Sequence, residues 1–153
     1  KSQWFSVESN NSSDNFIKAE ADEAFRLIHH LRTQCNVANS DIFLISPFKA
    51  VASKIASMVK EKHLTGIKAG TVHITQGQQR KVVIFVLGGG TVGARAWAAE
   101  KPNLLNVAAS RAEHRFYIIG DENKWGSLPF FTMASIKLRS HSKVETIAEL
   151  ETL

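Results

Sequence analysis

Short apolar runs alternate along this chain with longer segments in which apolar residues recur every three or four positions. Helical spacing of this kind covers residues 17–34 and resumes after Pro47, whose ring fits the first turn of a helix. Continuous apolar runs, typical of strands buried on both faces of a parallel sheet, occupy residues 42–45, 81–87 and 115–119. The alternation predicts an α/β fold in which helices cover both faces of a parallel sheet.

Weaker patterns complete the set of expected elements. The sequence favours strands at residues 4–7 and 70–74, helices at 103–112 and 127–138, and a polar helix or tail at 143–153. Strands and helices then follow one another along almost the whole chain.

Composition supports a single globular domain. The 153 residues, 44% hydrophobic and 22% charged, suffice for one packed core over residues 1–153, and the abrupt start indicates a fragment of a longer chain. No apolar run approaches the roughly 18 residues of a membrane helix. We therefore expect no membrane partner. The single cysteine, Cys35, cannot form an internal disulfide, so we expect a cytoplasmic protein. The net charge of +5 suits a polyanion such as nucleic acid.

Polar segments adjoin the expected strands. Open parallel sheets bind ligands at the carboxyl ends of their strands, so these segments are the first place to look for a site. Residues 46–49 follow one strand, residues 75–79 follow a second, and Gly120 and Asp121 follow a third. Residues 106–112 lead into the last of these strands.

In this order the segments resemble superfamily 1 helicases of the branch related to RNA-surveillance and replication helicases. DIFLISPFKA (41–50) looks like motif IV, GTVHITQGQQRKVVIF (70–85) looks like motif V, and LLNVAASRAEHRFYIIGD (104–121) looks like motif VI. Residues 15–31 are similar to the helix that precedes motif IV, so the resemblance covers about residues 4–125.

The resemblance implies a RecA-like second motor domain of P-loop NTPase type. Such a domain faces a first RecA-like domain, which holds most of the contacts to ATP and Mg²⁺ in the cleft between them, and it contributes to a track for single-stranded DNA or RNA. No G-x-x-x-x-G-K-[ST] loop occurs in this sequence. We therefore expect this chain alone neither to bind ATP well nor to hydrolyse it.

Arg111 is the candidate catalytic residue. By family resemblance it is the arginine finger, because a planar guanidinium can contact two γ-phosphoryl oxygens as charge spreads over them. The alternative is a surface arginine at the end of a helix.

The resemblance assigns four further residues to the nucleotide. Gln76 and Gly77 match the family's Gln-Gly pair, and Gln79 stands where the family usually has a glutamate that accepts from the ribose hydroxyls. Lys49 occupies a motif IV position where relatives often carry arginine, with a solvated lysine as the alternative. The uncharged Gln79 also supports a second hypothesis, a helicase-like module whose ATPase has decayed and which binds nucleic acid or protein.

Four residues are candidates for contacts with the phosphates of a single strand: Ser46, Thr71, His73 and Thr75. Hydroxyl groups suit this task because they fix the position of a strand without reading its sequence. For each, ordinary strand-end or capping chemistry is the alternative.

Two tryptophans, Trp97 and Trp125, could stack on bases, although an isolated tryptophan more often packs in a core.

A glycine cluster at residues 88–93 matches the G-x-G-x-x-G fingerprint of dinucleotide-binding oxidoreductases. The acidic residue of that fingerprint should lie roughly 20 residues further on, but Asp121 lies 28 past Gly93. Pro102 also interrupts the helix that should follow the glycines. A flexible loop is the simpler interpretation, and the oxidoreductase remains a remote alternative.

Overall fold

The computed structural model describes residues 2–140, and side chains for all of these except 102, 103, 139 and 140. Five strands form one sheet, in the order β1-β5-β4-β2-β3, and every neighbouring pair is parallel. The strands are β1 (Gln3–Ser6), β2 (Ile42–Ser46), β3 (Lys68–Thr71), β4 (Arg80–Val86) and β5 (Ala112–Gly120). The α-helices are α1 (Lys18–Gln34), α2 (Lys49–Glu61), α3 (Val92–Ala99), α4 (Pro102–Ser110), α5 (Glu122–Trp125) and α6 (Phe131–Ser140).

Helices cover both faces of this sheet because the connections change direction. The chain moves one way from β1 to β2 to β3, and then back from β3 through β4 to β5. Right-handed crossovers therefore place α1 and α2 on one face and α3 and α4 on the other. We call the side of the sheet where the strands begin the amino edge and the side where they end the carboxyl edge. Both names refer to the ends of the strands and not to the edge strands β1 and β3.

The centre of the sheet is apolar, as the continuous runs predict. All five residues of β2 are buried, and so are residues 82–86 of β4. On α1 the buried positions recur with helical spacing, for example Ala24, Leu27, Ile28 and Leu31. The expected α/β fold is therefore confirmed.

The predicted strand at 70–74 is wrong in its second half. β3 ends at Thr71, and Val72–Thr75 forms a 3-10 turn closed by the Thr75 hydroxyl, which donates to the carbonyl of Val72 at 2.7 Å. Gly70 has no side chain, and a Cβ there would lie 2.9 Å from Ile74 Cδ1, so Ile74 can fold back over it. The turn starts the return of the chain across the sheet to β4.

Most of the glycine cluster is either buried or helical, which does not fit the predicted flexible loop. Residues 88–90 are buried, and α3 begins at Val92. The helix predicted at 127–138 begins only at Phe131, after the short α5. The tail predicted at 143–153 lies outside the described residues.

Candidate functional site

Arg111 lies at the amino edge, between the end of α4 and the start of β5. Its backbone N–H donates to the carbonyls of Val107 and Ala108, both at 3.2 Å, and its own carbonyl accepts from Arg80 N at 3.0 Å. The side chain is half-buried, and its Nε is buried with no hydrogen-bond partner among the described residues. An unpaired buried donor is unfavourable by about 1–3 kcal/mol, so this nitrogen marks a position where an acceptor would be stabilising.

The Gln-Gly turn is directly beside Arg111. Gln79 Nε2 donates to the carbonyl of Ser110 at 2.9 Å, which fastens the turn to the end of α4. Gly77 has φ +73°, a conformation that favours glycine, and Gln76 beside it is exposed. The structure therefore brings Gln76, Gly77 and Gln79 to the same edge as Arg111. These residues precede β4 and do not follow a strand directly, which corrects the expected position at a carboxyl end.

Arg80 holds this edge together, although the sequence did not single it out. Its Nη1 donates to the carbonyls of Ile42 at 2.9 Å and Gly66 at 2.7 Å, and its guanidinium carbon lies 4.8 Å from the centre of the Phe43 ring. Burial lowers the pKa of Arg80, an effect that nearby Asp41 opposes. The side chain ties the starts of β2 and β3 to β4. The sequence signal that could have identified Arg80 is its position directly after the segment that contains the Gln-Gly pair.

The amino edge is electropositive. Lys81 pairs loosely with Asp41 at 3.9 Å, and Lys68 Nζ donates to Gln78 Oε1 at 3.1 Å. In the segments that begin the described strands at this edge, the cations are Lys68, Arg80, Lys81 and Arg111 and the carboxylates are Asp41 and Glu113. Such an excess of positive charge attracts a polyanion.

The remaining polar candidates divide between buried and accessible groups. Ser46 is fully buried and its Oγ accepts from Phe48 N at 3.2 Å, while Thr75 is buried and bonded to Val72. Thr71 ends β3 at the carboxyl edge and is half-buried, and His73 is exposed.

Lys49 lies apart from the other predicted nucleotide ligands. It is the exposed first residue of α2, directly beyond the carboxyl end of β2. Arg111 and Gln79 lie at the opposite edge, and strands of five to seven residues separate the two edges by about 16–23 Å. The structure therefore does not bring Lys49 together with the Gln-Gly turn.

The glycine cluster forms a hydrogen-bonded hub at the carboxyl edge of β4. Gly88 N donates to Glu20 Oε1 at 2.8 Å, Gly89 N donates to the carbonyl of Asn15 at 2.9 Å, and Gly90 N donates to Asn15 Oδ1 at 3.2 Å. All three N–H groups are thus bonded within the chain. A pyrophosphate would have to displace these bonds, which argues against the dinucleotide fingerprint.

Glu20 is a buried acid in this hub, with no accessible surface. Burial raises its pKa from 4.5 to about 8, against the opposing effect of the Gly88 N–H, and Asp121 raises it further. Its place on the apolar stripe of α1, one turn before Ala24, was a signal in the sequence that it faces the core.

The two tryptophans differ in exposure. Trp125 is 1% exposed, and its Nε1 donates to the carbonyl of Gly88 at 3.3 Å, so it is a core residue. Trp97 is 49% exposed. Among the described residues, we find no helix both long and apolar enough to cross a bilayer.

Comparison with known proteins agrees with this architecture. The C-terminal domain of a possible DNA helicase from Lactobacillus plantarum shares the fold, with a TM-score of 0.54, 14% identity, and coverage of 85% of this chain and 77% of that one. The fold, the ordered motifs and the relatives below define the chain as a C-terminal RecA-like domain of the superfamily 1 helicase type. Residues 3–123 match the family AAA_12, described as "AAA domain", and the chain belongs to that family.

Two relatives are described as a DNA helicase and as an exoribonuclease. The chain is 34% identical over 90 residues to DNA polymerase alpha-associated DNA helicase A of Schizosaccharomyces pombe, covering 57% of this chain and 13% of that protein. It is 26% identical over 162 residues to 3'-5' exoribonuclease HELZ2 of Mus musculus, covering 91% of this chain and 5% of that protein. The chain therefore spans only a small part of the relatives it matches.

Proposed function

We propose that this chain is the second motor domain of an ATP-dependent helicase or translocase, and that Arg111 is its arginine finger. The observation that carries this proposal is the buried, unpartnered Nε of Arg111 at an electropositive edge, next to the Gln-Gly turn. ATP and Mg²⁺ would be held mainly by a first RecA-like domain facing this edge.

The amino edge has the chemistry that phosphoryl transfer needs. The guanidinium of Arg111 would stabilise charge on the γ-phosphoryl oxygens, an effect worth about 10³–10⁵ in turnover where arginine fingers have been measured. Gln79 uses Nε2 to hold Ser110, so its Oε1 can still accept from a ribose hydroxyl. The exposed turn at Gln76 and Gly77 offers backbone groups to the nucleotide.

The carboxyl edge is the proposed side for single-stranded nucleic acid. Thr71 and His73 lie at or just after the end of β3, and Lys49 begins α2 beside the end of β2. A lysine at this position suits a strand phosphate better than the distant nucleotide. Ser46 would support this edge from within, because its hydroxyl group is buried. Thr75, buried in the turn that directly precedes Gln76, would hold the segment that returns to the amino edge.

Replacement of Arg111 in the full-length protein tests the proposal. Arg111→Ala should lower ATP turnover by about 10³–10⁵ while the Kd for a fluorescent ATP analogue changes little. Arg111→Lys keeps the charge but loses the planar fork, so most of the loss should persist. Lys54→Ala, which removes an exposed cation from the middle of α2 on the other face of the sheet, is the control and should leave turnover unchanged. Full turnover in Arg111→Ala would refute the assignment.

An ATPase-inactive helicase-like binding module is the second candidate function. Gln79 favours it, because an amide at this position lacks the charge of the usual glutamate. Under this hypothesis the full-length protein binds nucleic acid but shows no ATP turnover, and its upstream domain lacks an intact P-loop lysine. The turnover of the unmodified protein therefore separates the two candidates.

A further inference from the structure

Trp97, on helix α3, exposes about half of its side chain to solvent. Trp4 and Trp125 are 5% and 1% exposed, whereas Trp97 is 49% exposed on α3. Exposure alone does not distinguish Trp97, since Val92, Met133 and Ile136 are also exposed, so its significance depends on what surrounds its ring.

The surroundings of Trp97 place it at the carboxyl edge. Its ring centre lies 6.0 Å from that of Phe48, the buried N-cap residue of α2 that follows β2. The Lys101 ammonium lies 4.9 Å from the centre of the Trp97 ring. Lys49, exposed, follows Phe48 in the chain, and Glu100 is the acidic neighbour of Lys101. The indole is thus backed by the Phe48 ring and flanked by the Lys101 ammonium, and Lys49 follows Phe48 in the chain.

The helix that carries Trp97 is firmly anchored. Thr91 Oγ1 accepts from Ala94 N at 3.1 Å and caps the first turn of α3. Two residues before Trp97, the buried Arg95 donates from Nη1 to the carbonyl of Gly89 at 2.9 Å and from Nη2 to Asn11 Oδ1 at 3.2 Å. A side chain on such a fixed helix loses little conformational freedom when a ligand covers it.

We propose that Trp97 is a stacking platform for one base of the single-stranded nucleic acid, with Lys101 and Lys49 taking the flanking phosphates. This inference rests on the proposed function and adds to it a specific base contact. Every base has a π-face, so stacking on an indole holds a strand without selecting its sequence, as a translocating motor requires. Lys101 on its flexible stem can leave the ring for a phosphate when a base arrives. The cations favour a strand over an apolar protein partner as the occupant.

Binding measurements on the full-length protein test the platform. Labelled oligothymidylate and oligouridylate are titrated with wild type, Trp97→Phe, Trp97→Ala and Val92→Ala, the last removing an exposed apolar side chain from the same helix. Trp97→Ala should weaken binding by about tenfold or more, as loss of a stacked base does elsewhere. Trp97→Phe should keep most of the affinity, and Val92→Ala all of it.

Salt dependence separates stacking from charge. The slope of log Kd against log salt should be unchanged in Trp97→Ala, because no phosphate contact is lost, and should fall in Lys49→Ala and Lys101→Ala. A slope reduced equally in Trp97→Ala would overturn the stacking role.

Photocrosslinking of the unmodified protein guards against misfolded variants. A 5-iodouracil oligonucleotide should crosslink within the tryptic peptide 96–111, in which Trp97 is the only aromatic residue. Strand binding with wild-type affinity in Trp97→Ala, or no crosslink in this peptide, would overturn the platform and leave the Arg111 assignment standing. Failure of the proposed function itself would show differently, as full ATP turnover in Arg111→Ala.

Discussion

The N–H donors at the two edges of the same sheet differ in how far they are satisfied, although the buried Oε2 of Glu20 in the carboxyl-edge hub also lacks a partner among the described residues. In the hub at the carboxyl edge, the three N–H groups of residues 88–90 donate within the chain, and Arg95 and Trp125 bond to its carbonyls. At the amino edge, the Nε of Arg111 has no partner among the described residues, and the turn at 76–79 is exposed. Satisfied groups hold a fold together, whereas an unsatisfied donor on a charged edge is available to a ligand.

This contrast reverses what the sequence motifs suggest at first sight. The glycine cluster has the form of a dinucleotide-binding loop, yet its glycines serve close packing against residues 12–15. Arg111 has the form of an ordinary helix-end arginine, yet its Nε is a buried donor without a partner among the described residues, as is Nε2 of Gln3 at the start of β1. The free donor is the reason for proposing Arg111, and not the glycine cluster, as a ligand-binding group.

The largest change in stability is expected when a side chain is added at a buried glycine of the hub. A methyl group at Gly90 would overlap the backbone oxygens of Ser12 and Asp14, so Gly90→Ala should lower the free energy of unfolding by about 3 kcal/mol. Gly93 has open space around its Cβ position and lies within α3, so Gly93→Ala should raise stability by about 0.5–1 kcal/mol. Urea denaturation measures both free energies of unfolding. Equal effects of the two substitutions would contradict the close packing around Gly90.

Glu20 makes the stability of the hub depend on pH. Its folded-state pKa of about 8 exceeds the unfolded value near 4.5, so between these values the folded chain binds the extra proton. The contribution of Glu20 is therefore fully present below about pH 4.5 and is lost as pH rises towards 8, by at most about 1.4 kcal/mol per pH unit.

Glu20→Gln removes this titration and isolates it. The stability difference between the variant and wild type should shift in favour of the variant as pH rises from 5 to 8, because only wild type must bury a charge or bind a proton. Thermal unfolding at several pH values measures the difference. A difference that stays constant over this range would show that Glu20 is not a buried neutral acid.

The smallest effect is expected from the Gln-Gly turn. Gln79→Glu loses the donor to the Ser110 carbonyl and places a carboxylate beside it, so stability should fall by under about 1 kcal/mol. Gln78→Glu is the matched control, because Lys68 can donate to a carboxylate there as well as to an amide. If Gln79→Glu instead stabilises the chain, the amide does not fasten the turn to α4.

Local pattern predicted much of the fold. Continuous apolar runs identified β2 and β4, because full burial on both faces leaves a strong signal in the sequence. The pattern failed at residues 72–75, where the backbone forms a 3-10 turn because the chain must return to β4. It also failed at residues 88–90, where contacts with residues distant in sequence bury the glycines. Single-sequence patterns do not contain these tertiary contacts.

The candidate site was predictable in part. The Gln-Gly pair and Arg111 were found from motif order, and the structure brings them together at one edge. The separation of Lys49 from them follows from the direction in which each connection crosses the sheet. Arg80 and Glu20 were missed because their roles depend on backbone groups contributed by other elements.

The arginine-finger assignment is tested by the structure of the full-length protein bound to ADP, aluminium fluoride, Mg²⁺ and a single-stranded oligonucleotide. If Arg111 is the finger, its guanidinium lies within hydrogen-bond distance, about 3 Å, of the fluoroaluminate. A nucleotide bound away from the amino edge, or an Arg111 side chain turned from it into solvent, would show that Arg111 does not have this role.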